Sequence, residues 1–314
     1  MTGAATTGAV LVTGVEGMIG YAVAARLAQS GRPVVGMDRH IRDARDLGIA
    51  TVVADLSDIH ALYGMLTAHE VRSIVHCGAI SGPMLAKDDP YGLIQINVTG
   101  TLNILEACRR LQLERLVFCS SLMVYGASQS SPLREDAPLR ATDAYDASKI
   151  AAEALVNAYI AAHGVDAVSA RLAWVYGPRR QTPCSIRRML TDAMAGRSTQ
   201  FLTGASALRQ YVHVEDVASA LVALLDAPVL KRRVYNVSGD DFRSFARVAD
   251  AVRALVPNAS ISIGDTPDPE DPPMGQLSTE ALRQDTAWRP ALPLEEGLAR
   301  YRNWLAQNES PLTP

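Results

Sequence analysis

Short apolar, β-branched runs alternate with longer amphipathic stretches through the first half of this 314-residue chain. The runs are AVLVTG from Ala9, PVVGMD from Pro33, TVVADL from Thr51, SIVHCGA from Ser73, RLVFCSS from Arg115 and AVSARLAWVYG from Ala167. Helices are expected between them, at Gly17–Ser30, Ser57–His69, Tyr91–Leu111 and Asp143–Ala162. Strands that are apolar throughout occur where helices cover both faces of a parallel sheet. The pattern therefore predicts a doubly wound, parallel α/β sheet.

The regular alternation ends after Gly177, where prolines and irregularly spaced segments replace it. In this part VEDVASALVALLDA and FARVADAVRALV predict helices, and RVYNVSG predicts a strand. We therefore expect a Rossmann-fold domain and a smaller, partly interleaved C-terminal substrate lobe. The expected bounds are 1–171 plus about 208–240 for the domain, and about 172–207 plus 241–314 for the lobe.

Composition limits the possible partners and the compartment. A formal net charge of −3 gives no general electrostatic attraction to nucleic acid or to an anionic membrane. The start MTGAATTG lacks the basic character of a secretory signal, and no stretch reaches the roughly 20 apolar residues that span a bilayer. The four cysteines show no zinc spacing, so no metal site is expected. A cytoplasmic protein is the simplest interpretation.

Three glycines, Gly14, Gly17 and Gly20, stand between the first predicted strand and the first predicted helix. Glycines allow a sharp turn there, close approach of a diphosphate to the backbone, and tight packing of helix on strand. The helix N-terminus would attract the phosphates. The second strand ends in Asp38, whose carboxylate can bind a ribose 2′-hydroxyl and would repel a 2′-phosphate. The sequence thus predicts a dinucleotide site that prefers NAD to NADP.

Two features near this predicted site have alternative interpretations. Arg39 and Arg42 could neutralise a 2′-phosphate, which would favour NADP. Asp55, at the end of the third strand, could bind the adenine amine or could serve as the N-cap of the next helix.

Tyr145 and Lys149 are one helical turn apart at the start of an alanine-rich predicted helix. The chain has only three lysines, so this spacing beside a tyrosine is informative. A surface contact between the two side chains is one explanation. In the other, the Lys149 ammonium binds ribose hydroxyls and lowers the pKa of the Tyr145 phenol, which then acts as a general base toward an alcohol.

At this point the chain resembles the extended short-chain dehydrogenase/reductases, specifically the NAD-dependent epimerase/dehydratase family, with similarity to UDP-glucose 4-epimerase. The resemblance covers nearly the whole chain and rests on ordered motifs, namely the glycine turn, Asp38, HCGA (76–79), NVTGT (97–101), CSSLMVYG (119–126), YDASK (145–149), VYGP (175–178) and RQYVHVEDVA (209–218). The resemblance implies that Ser121 hydrogen-bonds the reacting oxygen, that Tyr145 is the base, and that Lys149 lowers the pKa of Tyr145. It also implies a homodimer formed by the helices at 91–111 and 143–163.

The resemblance further implies two sets of binding residues. The residues expected to hold NAD are Gly14, Gly17, Met18, Ile19, Gly20, Asp38, Arg39, Asp55, Leu56, Cys77, Gly78, Ala79, Asn97, Ser120, Tyr145, Lys149 and Leu172. The residues expected to hold substrate are Ser81, Ser121, Met123, Tyr145, Trp174, Arg179 and Arg209.

The reaction implied is transfer of a hydride between NAD and a secondary alcohol of a sugar or sugar derivative. Dehydration is disfavoured, because Leu122 and Met123 follow Ser121 where dehydratases of this family carry an acid pair. Epimerisation of a nucleotide sugar and net dehydrogenation of a smaller sugar, polyol or sugar acid both stay open. A non-catalytic NAD-binding sensor is a third possibility, although all three catalytic residue types are present.

The residues expected near the substrate point in different directions. Arg209 matches the family arginine that contacts the diphosphate of a nucleotide sugar, whereas Trp174 replaces an asparagine that also contacts it. Trp174 could stack on a sugar ring or pack between the two lobes. A group of arginines just beyond the strand end could bind a smaller anion or could be solvated helix charges; it comprises Arg179, Arg180, Arg187 and Arg188. We interpret His76 and His213 as packing residues.

Overall fold

The largest unit of the protein is a parallel sheet of seven strands. A computed structural model describes residues 8–82, 87–128, 130–268 and 273–308. In order across the sheet, the strands are β10 (Val234–Val237), β6 (Ala167–Leu172), β5 (Arg115–Ser121), β4 (Val71–His76), β1 (Ala9–Thr13), β2 (Val34–Asp38) and β3 (Ala50–Val53). All neighbouring pairs are parallel, which confirms the predicted doubly wound fold.

Some helices of the described residues cover both faces of this sheet, and others lie with the smaller sheets. The helices are α1 (Met18–Gln29), α2 (Ile59–Ala68), α3 (Pro90–Ile94), α4 (Gly100–Leu111), α5 (Ala144–His163), α6 (Ser185–Met194), α7 (Val214–Asp226), α8 (Phe245–Leu255), α9 (Glu280–Thr286) and α10 (Leu294–Asn308). The predicted helix at Tyr91–Leu111 is present as α3 and α4, joined through a π-helical stretch at Gln95–Thr99.

The core lies in two apolar layers, one on each face of the sheet. Successive side chains of a strand point to opposite faces, so Val10 and Val12 enter one layer and Leu11 enters the other. Helices α1 and α7 supply the first layer, and α2, α4 and α5 supply the second. Because both faces are covered, the strands carry no polar face.

Two small sheets follow the large one. Strands β7 (Trp174–Tyr176), β9 (Leu208–His213) and β11 (Phe242–Ser244) form one of them, with β9 in the centre. Strands β8 (Thr199–Phe201) and β12 (Ile261–Ile263) form the other. A third apolar cluster lies between the small sheets and helices α6, α8 and α10.

The prediction of a single strand from Ala167 to Gly177 is wrong. Strand β6 ends at Leu172, the Ala173 N–H still bonds the Val237 carbonyl, and Trp174–Tyr176 then pairs with β9 instead. The apolar sequence hides this break, because both halves are buried. The chain thus leaves the large sheet just before Trp174, one of the predicted substrate residues.

Parts of the predicted domain and lobe lie outside the described part of the chain, namely residues 1–7, 83–86, 129, 269–272 and 309–314. In the described ranges, no helix combines the length and the apolar character that crossing a bilayer requires.

Candidate active site

The glycine turn between β1 and α1 needs its glycines. Gly14 has a φ of +66°, a left-handed conformation that glycine adopts without strain. A Cβ on Gly20 would lie 2.1 Å from the Gly14 carbonyl oxygen, so a side chain there would force the turn open. Helix α1 begins at Met18, and no described side chain caps it. Its first N–H groups therefore stay available to an anion.

A cleft of about 280 Å³ opens at the carboxyl ends of the strands, where the sheet order reverses between β1 and β4. Ligands bind at this switch point in open α/β sheets. The cleft brings together nine of the predicted cofactor residues, which are Gly14, Gly17, Asp38, Arg39, Asp55, Leu56, Cys77, Gly78 and Ala79. It also contains residues that the sequence analysis did not assign to the cofactor: Thr13, Glu16, Met37, His40, Arg42, Ala54, Ile80, Ile96 and Gln181.

Asp38 lies at one edge of this cleft with its carboxylate held by two backbone groups. The Glu16 N–H donates to Oδ2 at 3.1 Å, and the Arg39 N–H donates to Oδ1 at 2.8 Å. Glu16 in turn accepts the N–H groups of residues 42, 43 and 44 and so fixes the loop after β2. The carboxylate is thereby fixed at the edge of the cleft.

Replacing Asp38 with alanine should weaken NAD binding by about 1.5–3 kcal/mol, since a hydrogen bond to a charged group is lost. Discrimination against NADP should fall as well, because the carboxylate that repels a 2′-phosphate is gone. Isothermal titration calorimetry with NAD and with NADP measures the two affinities. Asp46→Ala, at an exposed position in the following loop, is the control and should bind both as the unmodified chain does. Unchanged NAD affinity in Asp38→Ala would contradict this placement of the ribose.

Asp55 does not cap the following helix. The N-cap of α2 is Asp58, which accepts the Ala61 N–H at 2.9 Å. Asp55 instead accepts the N–H and the hydroxyl of Ser57 at 2.8 and 2.7 Å, and the N–H contact lowers the pKa of the Asp55 carboxyl. The N-cap alternative is therefore wrong. Asp55 lines the cleft as a carboxylate, as the adenine alternative requires.

The phenol of Tyr145 is buried beside this cleft. Tyr145 lies in the first turn of α5, whose N-cap Asp143 accepts the Asp146 N–H at 2.8 Å. Only 6% of Tyr145 is exposed, and it packs with Leu93 and with Ile80, which also lines the cleft. The hydroxyls of Ser121 and Ser81 lower the pKa of the phenol and so oppose the effect of its burial. The predicted substrate residues Ser81, Ser121 and Tyr145 therefore lie close together.

Lys149 is one turn further along α5, but its ammonium is directed elsewhere. Its Nζ donates to the Cys119 carbonyl at 2.9 Å and lies 6.0 Å from the centre of the Tyr145 ring. Burial lowers the pKa of Lys149 to about 8. Burial also raises the pKa of Tyr145, while the Ser121 and Ser81 hydroxyls and, to a smaller extent, the Arg180 charge oppose the rise. The lowering of the Tyr145 pKa by Lys149 stays a prediction.

Two predicted cofactor residues use their side chains to hold other parts of the protein. Asn97 accepts the Ile80 N–H at 2.9 Å and donates to the Ile80 carbonyl and to Ser148, each at 3.0 Å, so it fixes the loop after β4. Ser120 donates to Glu153 at 2.5 Å within a buried polar network. Both side chains are engaged within the protein, and their contact with the cofactor stays a prediction. Leu172 is buried beside Ser121 in the sheet.

His76 is a buried link beneath the glycine turn. Thr13 accepts the Gly78 N–H at 3.0 Å, and its hydroxyl donates to His76 Nδ1 at 2.7 Å, because the proton of the neutral ring is on Nε2. The Nε2–H then donates to Thr101 at 3.2 Å, and the Thr101 hydroxyl donates to the Asn97 carbonyl. Burial lowers the pKa of His76 to about 3, and the ring is neutral. His213 is also buried and caps α7 by accepting the Glu215 N–H.

The predicted basic cluster beyond β7 is dispersed. Arg179 pairs with Asp43 and stacks on Tyr21, 3.6 Å from the ring centre, so it faces α1 and its assignment to the substrate was wrong. Arg188 lies over Phe201. The physical reason is that each guanidinium finds a separate carboxylate, carbonyl or ring nearby. Arg180 is the member of the cluster whose charge lowers the pKa of Tyr145. It donates to the Val175 carbonyl at 2.5 Å. Its buried Nε has no hydrogen-bond partner among the described residues.

Trp174, on β7, and Arg209, on β9, are the predicted substrate residues that belong to the small sheet. Trp174 packs against both the first and the third apolar clusters, 6.4 Å from the Tyr211 ring, which is the packing alternative. Arg209 lies over Phe245, at 4.2 Å, and donates to the Tyr211 hydroxyl at 3.4 Å. Met123 packs beside Tyr145. Across the described ranges, no group of three or more metal-binding side chains comes together.

Comparison with known proteins identifies the family. A model described as the NAD dependent epimerase/dehydratase family matches residues 10–238. The chain belongs to this family. The predicted resemblance is confirmed, and with it an NAD-dependent enzyme of the extended short-chain dehydrogenase/reductase type.

Relatives of this epimerase/dehydratase family member align over almost their whole length. The chain is 30% identical over 307 residues to a UDP-glucose 4-epimerase of Mycolicibacterium smegmatis, covering 92% of this chain and 96% of the relative. It is 26% identical over 314 residues to a UDP-glucuronate 4-epimerase of Thermodesulfobacterium geofontis, covering 95% and 96%. The crystal structure of Thermus thermophilus UDP-glucose 4-epimerase in complex with NAD superposes with a TM-score of 0.85 at 27% identity, covering 96% and 99%.

Proposed function

We propose that this protein is a 4-epimerase of UDP-linked hexoses that uses NAD, with Tyr145 as the general base. The observation that carries the proposal is the burial of the Tyr145 phenol beside the dinucleotide cleft, with the Ser121 and Ser81 hydroxyls near enough to lower its pKa. The relatives named as UDP-glucose and UDP-glucuronate 4-epimerases support the substrate class.

The residues present fit NAD. The turn at Gly14 and Gly20 has no room for side chains, the start of α1 has no capping side chain among the described residues, and Asp38 is fixed at the cleft edge. We expect Gly14, Gly17 and the first turn of α1, which holds Met18 and Ile19, to bind the diphosphate, and Asp38 to bind the adenosine ribose. Bound NAD accepts a hydride from a carbinol carbon and returns it.

The chain's own groups would handle the proton. Tyr145 takes the proton of the substrate hydroxyl, while Ser121 and Ser81 donate hydrogen bonds that stabilise negative charge on the phenol oxygen. After the ketone has turned its other face toward the cofactor, the same phenol returns the proton. Leu122 is buried after Ser121, and Met123 packs on Tyr145, so neither supplies an acid or base for eliminating water.

The nucleotide would extend toward the small sheet. Arg209, on β9, is the candidate diphosphate contact, and its position over Phe245 fixes the guanidinium plane. We include the two-lobed division of the chain in this proposal, with substrate lying between the large sheet and the small one.

A panel of UDP-glucose, UDP-galactose and UDP-glucuronate, with the free sugars as controls, tests the reaction. The expected result is conversion of a UDP-linked hexose to its C4 epimer, with no net change in the near-ultraviolet absorbance of NADH. Accumulation of NADH in step with product would instead show net dehydrogenation. An absence of turnover on the whole panel, with NAD binding intact, would favour the sensor function.

Replacing Arg180 with glutamine should move the acidic limb of the pH–kcat profile to higher pH. The ionised phenol is the active base, and the positive charge of Arg180 lowers its pKa, so removing that charge raises the pH at which the base ionises. Steady-state rates across pH measure the limb. Arg188→Gln, which removes a more exposed arginine lying over Phe201, is the control and should leave the limb in place. An acidic limb at the same pH in Arg180→Gln and in the unmodified enzyme would contradict this role of Arg180.

We also propose that the enzyme is a cytoplasmic homodimer in which α4 and α5 of one protomer pack against those of its partner. The outer side of these helices carries a linked group, because Arg109 and Arg110 both bind Glu106, and Tyr159 donates to the same carboxylate. Light scattering in solution would measure the mass against the 33.7 kDa of one chain.

A further inference from the structure

Two cysteines approach each other at the floor of the cofactor cleft. Cys77 follows the last residue of β4, Cys119 lies in β5, and their sulfur atoms are 3.6 Å apart and share a hydrogen bond. The preceding residues, His76 and Phe118, are directly paired in the sheet. Neighbouring strands are separated by about 4.7–4.9 Å, which lies within the Cα separation of about 4.4–6.8 Å that a disulfide spans.

The two thiols differ in their access to small molecules. Cys77 is half-buried and lines the cleft, whereas Cys119 is buried behind it. The other two cysteines are separate: Cys108 is buried in the helix layer on one face, and Cys184 stands at the start of α6. A reagent that enters the cleft would therefore reach Cys77 first, with Cys119 already in contact with it.

We propose that Cys77 and Cys119 form a redox modification site, in which a peroxide entering through the cofactor cleft joins them in a reversible disulfide that inhibits the enzyme. The site goes beyond the proposed epimerase function, and only its protection by NAD depends on the cofactor site. No step in its formation requires Tyr145 or a sugar substrate.

The chemistry balances with one peroxide. The Cys77 thiolate attacks one oxygen of hydrogen peroxide, the O–O bond breaks, and hydroxide leaves as a sulfenic acid forms. The Cys119 thiol then attacks that sulfur, the S–S bond forms, and the S–O bond breaks to release water. The hydroxide takes up the proton that Cys77 lost, so two thiols and one peroxide give one disulfide and two waters. The sulfur atoms must close from 3.6 Å to about 2.05 Å.

Inhibition follows from the position of Cys119. Its carbonyl is the acceptor for the Lys149 ammonium, so drawing Cys119 toward Cys77 disturbs the anchor of a proposed catalytic residue. The hydrogen bond with Cys119 and burial both raise the pKa of the Cys77 thiol, while the Lys149 charge opposes the rise. Because the thiolate is the reactive form, oxidation should be slow at neutral pH and is best tested in mildly alkaline buffer.

The experiment uses the unmodified, fully reduced protein. After treatment with hydrogen peroxide and alkylation of remaining thiols, peptide mass spectrometry should find a Cys77–Cys119 linked peptide that dithiothreitol removes. Turnover should be lost in proportion to the linked fraction and should return on reduction. Cys184→Ser, which removes the other partly accessible thiol, should give the same linked peptide, and Cys119→Ser should give none.

Addition of NAD separates the route from the reaction. At about ten times the Kd of NAD, the unliganded fraction is about a tenth, so linkage should be about tenfold slower. Alkylation of both Cys77 and Cys119 after a treatment that oxidises Cys184 would overturn the modification site. A linkage rate that NAD leaves unchanged would overturn entry through the cleft, and full turnover of the linked protein would overturn the inhibition.

Discussion

Replacement of Tyr145 with phenylalanine should lower kcat by about 10²–10⁴-fold, the range that a positioned acid–base group contributes. The change removes one oxygen atom, and the ring would keep its packing against Leu93 and Ile80. NAD affinity should change little, because the cleft residues that contact the dinucleotide are untouched. Steady-state rates with a UDP-linked hexose, together with an NAD titration, measure the two effects separately.

Tyr159→Phe is the matched control for this substitution. Tyr159 lies on the same helix and also loses a hydrogen-bonded hydroxyl, in this case one that contacts Glu106. The control should retain kcat within about twofold, because the Tyr159 hydroxyl contacts Glu106 at the proposed dimer contact and not the cofactor cleft. A Tyr145→Phe enzyme that turns over as fast as the control would show that another group moves the proton.

Replacement of Glu153 with leucine should destabilise the protein by about 3–5 kcal/mol, because it leaves the Arg171 guanidinium buried without its counter-ion. The Glu153 and Arg171 side chains are only 3% and 4% exposed, and three contacts of 2.7–3.2 Å join them. Arg171 also donates to the Tyr125 hydroxyl and to the Glu135 carbonyl, while Ser120 donates to Glu153. Denaturant unfolding followed by circular dichroism measures the loss.

Two comparisons make this stability prediction specific. The double variant Glu153→Leu with Arg171→Leu should recover part of the lost stability, since it buries no unpaired charge. Arg110→Ala breaks an ion pair with Glu106 in which the arginine is 64% exposed, and it should cost less than about 1 kcal/mol. Equal losses from the buried and the exposed substitutions would contradict the account of this network.

The sequence predicted best those features whose residues lie close together along the chain. The glycine turn, Asp38 and the pair Tyr145 and Lys149 each lie within one strand–helix unit, and the pattern predicted the element that carries each of them. The large parallel sheet was predicted for the same reason, because a local apolar run marks each buried strand.

Relations between distant segments were not predictable in this way. Arg171, in an apolar strand, and Glu153, in an alanine-rich helix, are conspicuous charges, yet nothing local says that they pair. Cys77 and Cys119 are 42 residues apart and meet only because β4 and β5 are neighbours. The choice between Arg179 and Arg180 depends on a turn in which Arg179 has a φ of +66°, which sends consecutive arginines to different partners.

For Tyr145 and Lys149, the sequence indicated a shared helix but not the groups that surround each side chain. The helical spacing put Lys149 one turn from Tyr145, but it did not show that the Cys119 carbonyl would take the ammonium. It also did not show that Arg180 would be the cation opposing the effect of burial on the Tyr145 phenol. Lys149 stays our candidate for the nicotinamide ribose contact, while Arg180 takes the proposed electrostatic role.

The central claim is that a hydride leaves the sugar carbon, stays within the enzyme and returns to the same carbon. Incubating the enzyme with a UDP-linked hexose in deuterium oxide, and recording proton NMR spectra of both C4 epimers, tests it directly. The account predicts that both epimers keep protium at C4 throughout the approach to equilibrium, while NADH does not accumulate. Deuterium at C4 of the product would contradict the account, because the carbon would then have exchanged a proton with solvent instead of a hydride with NAD.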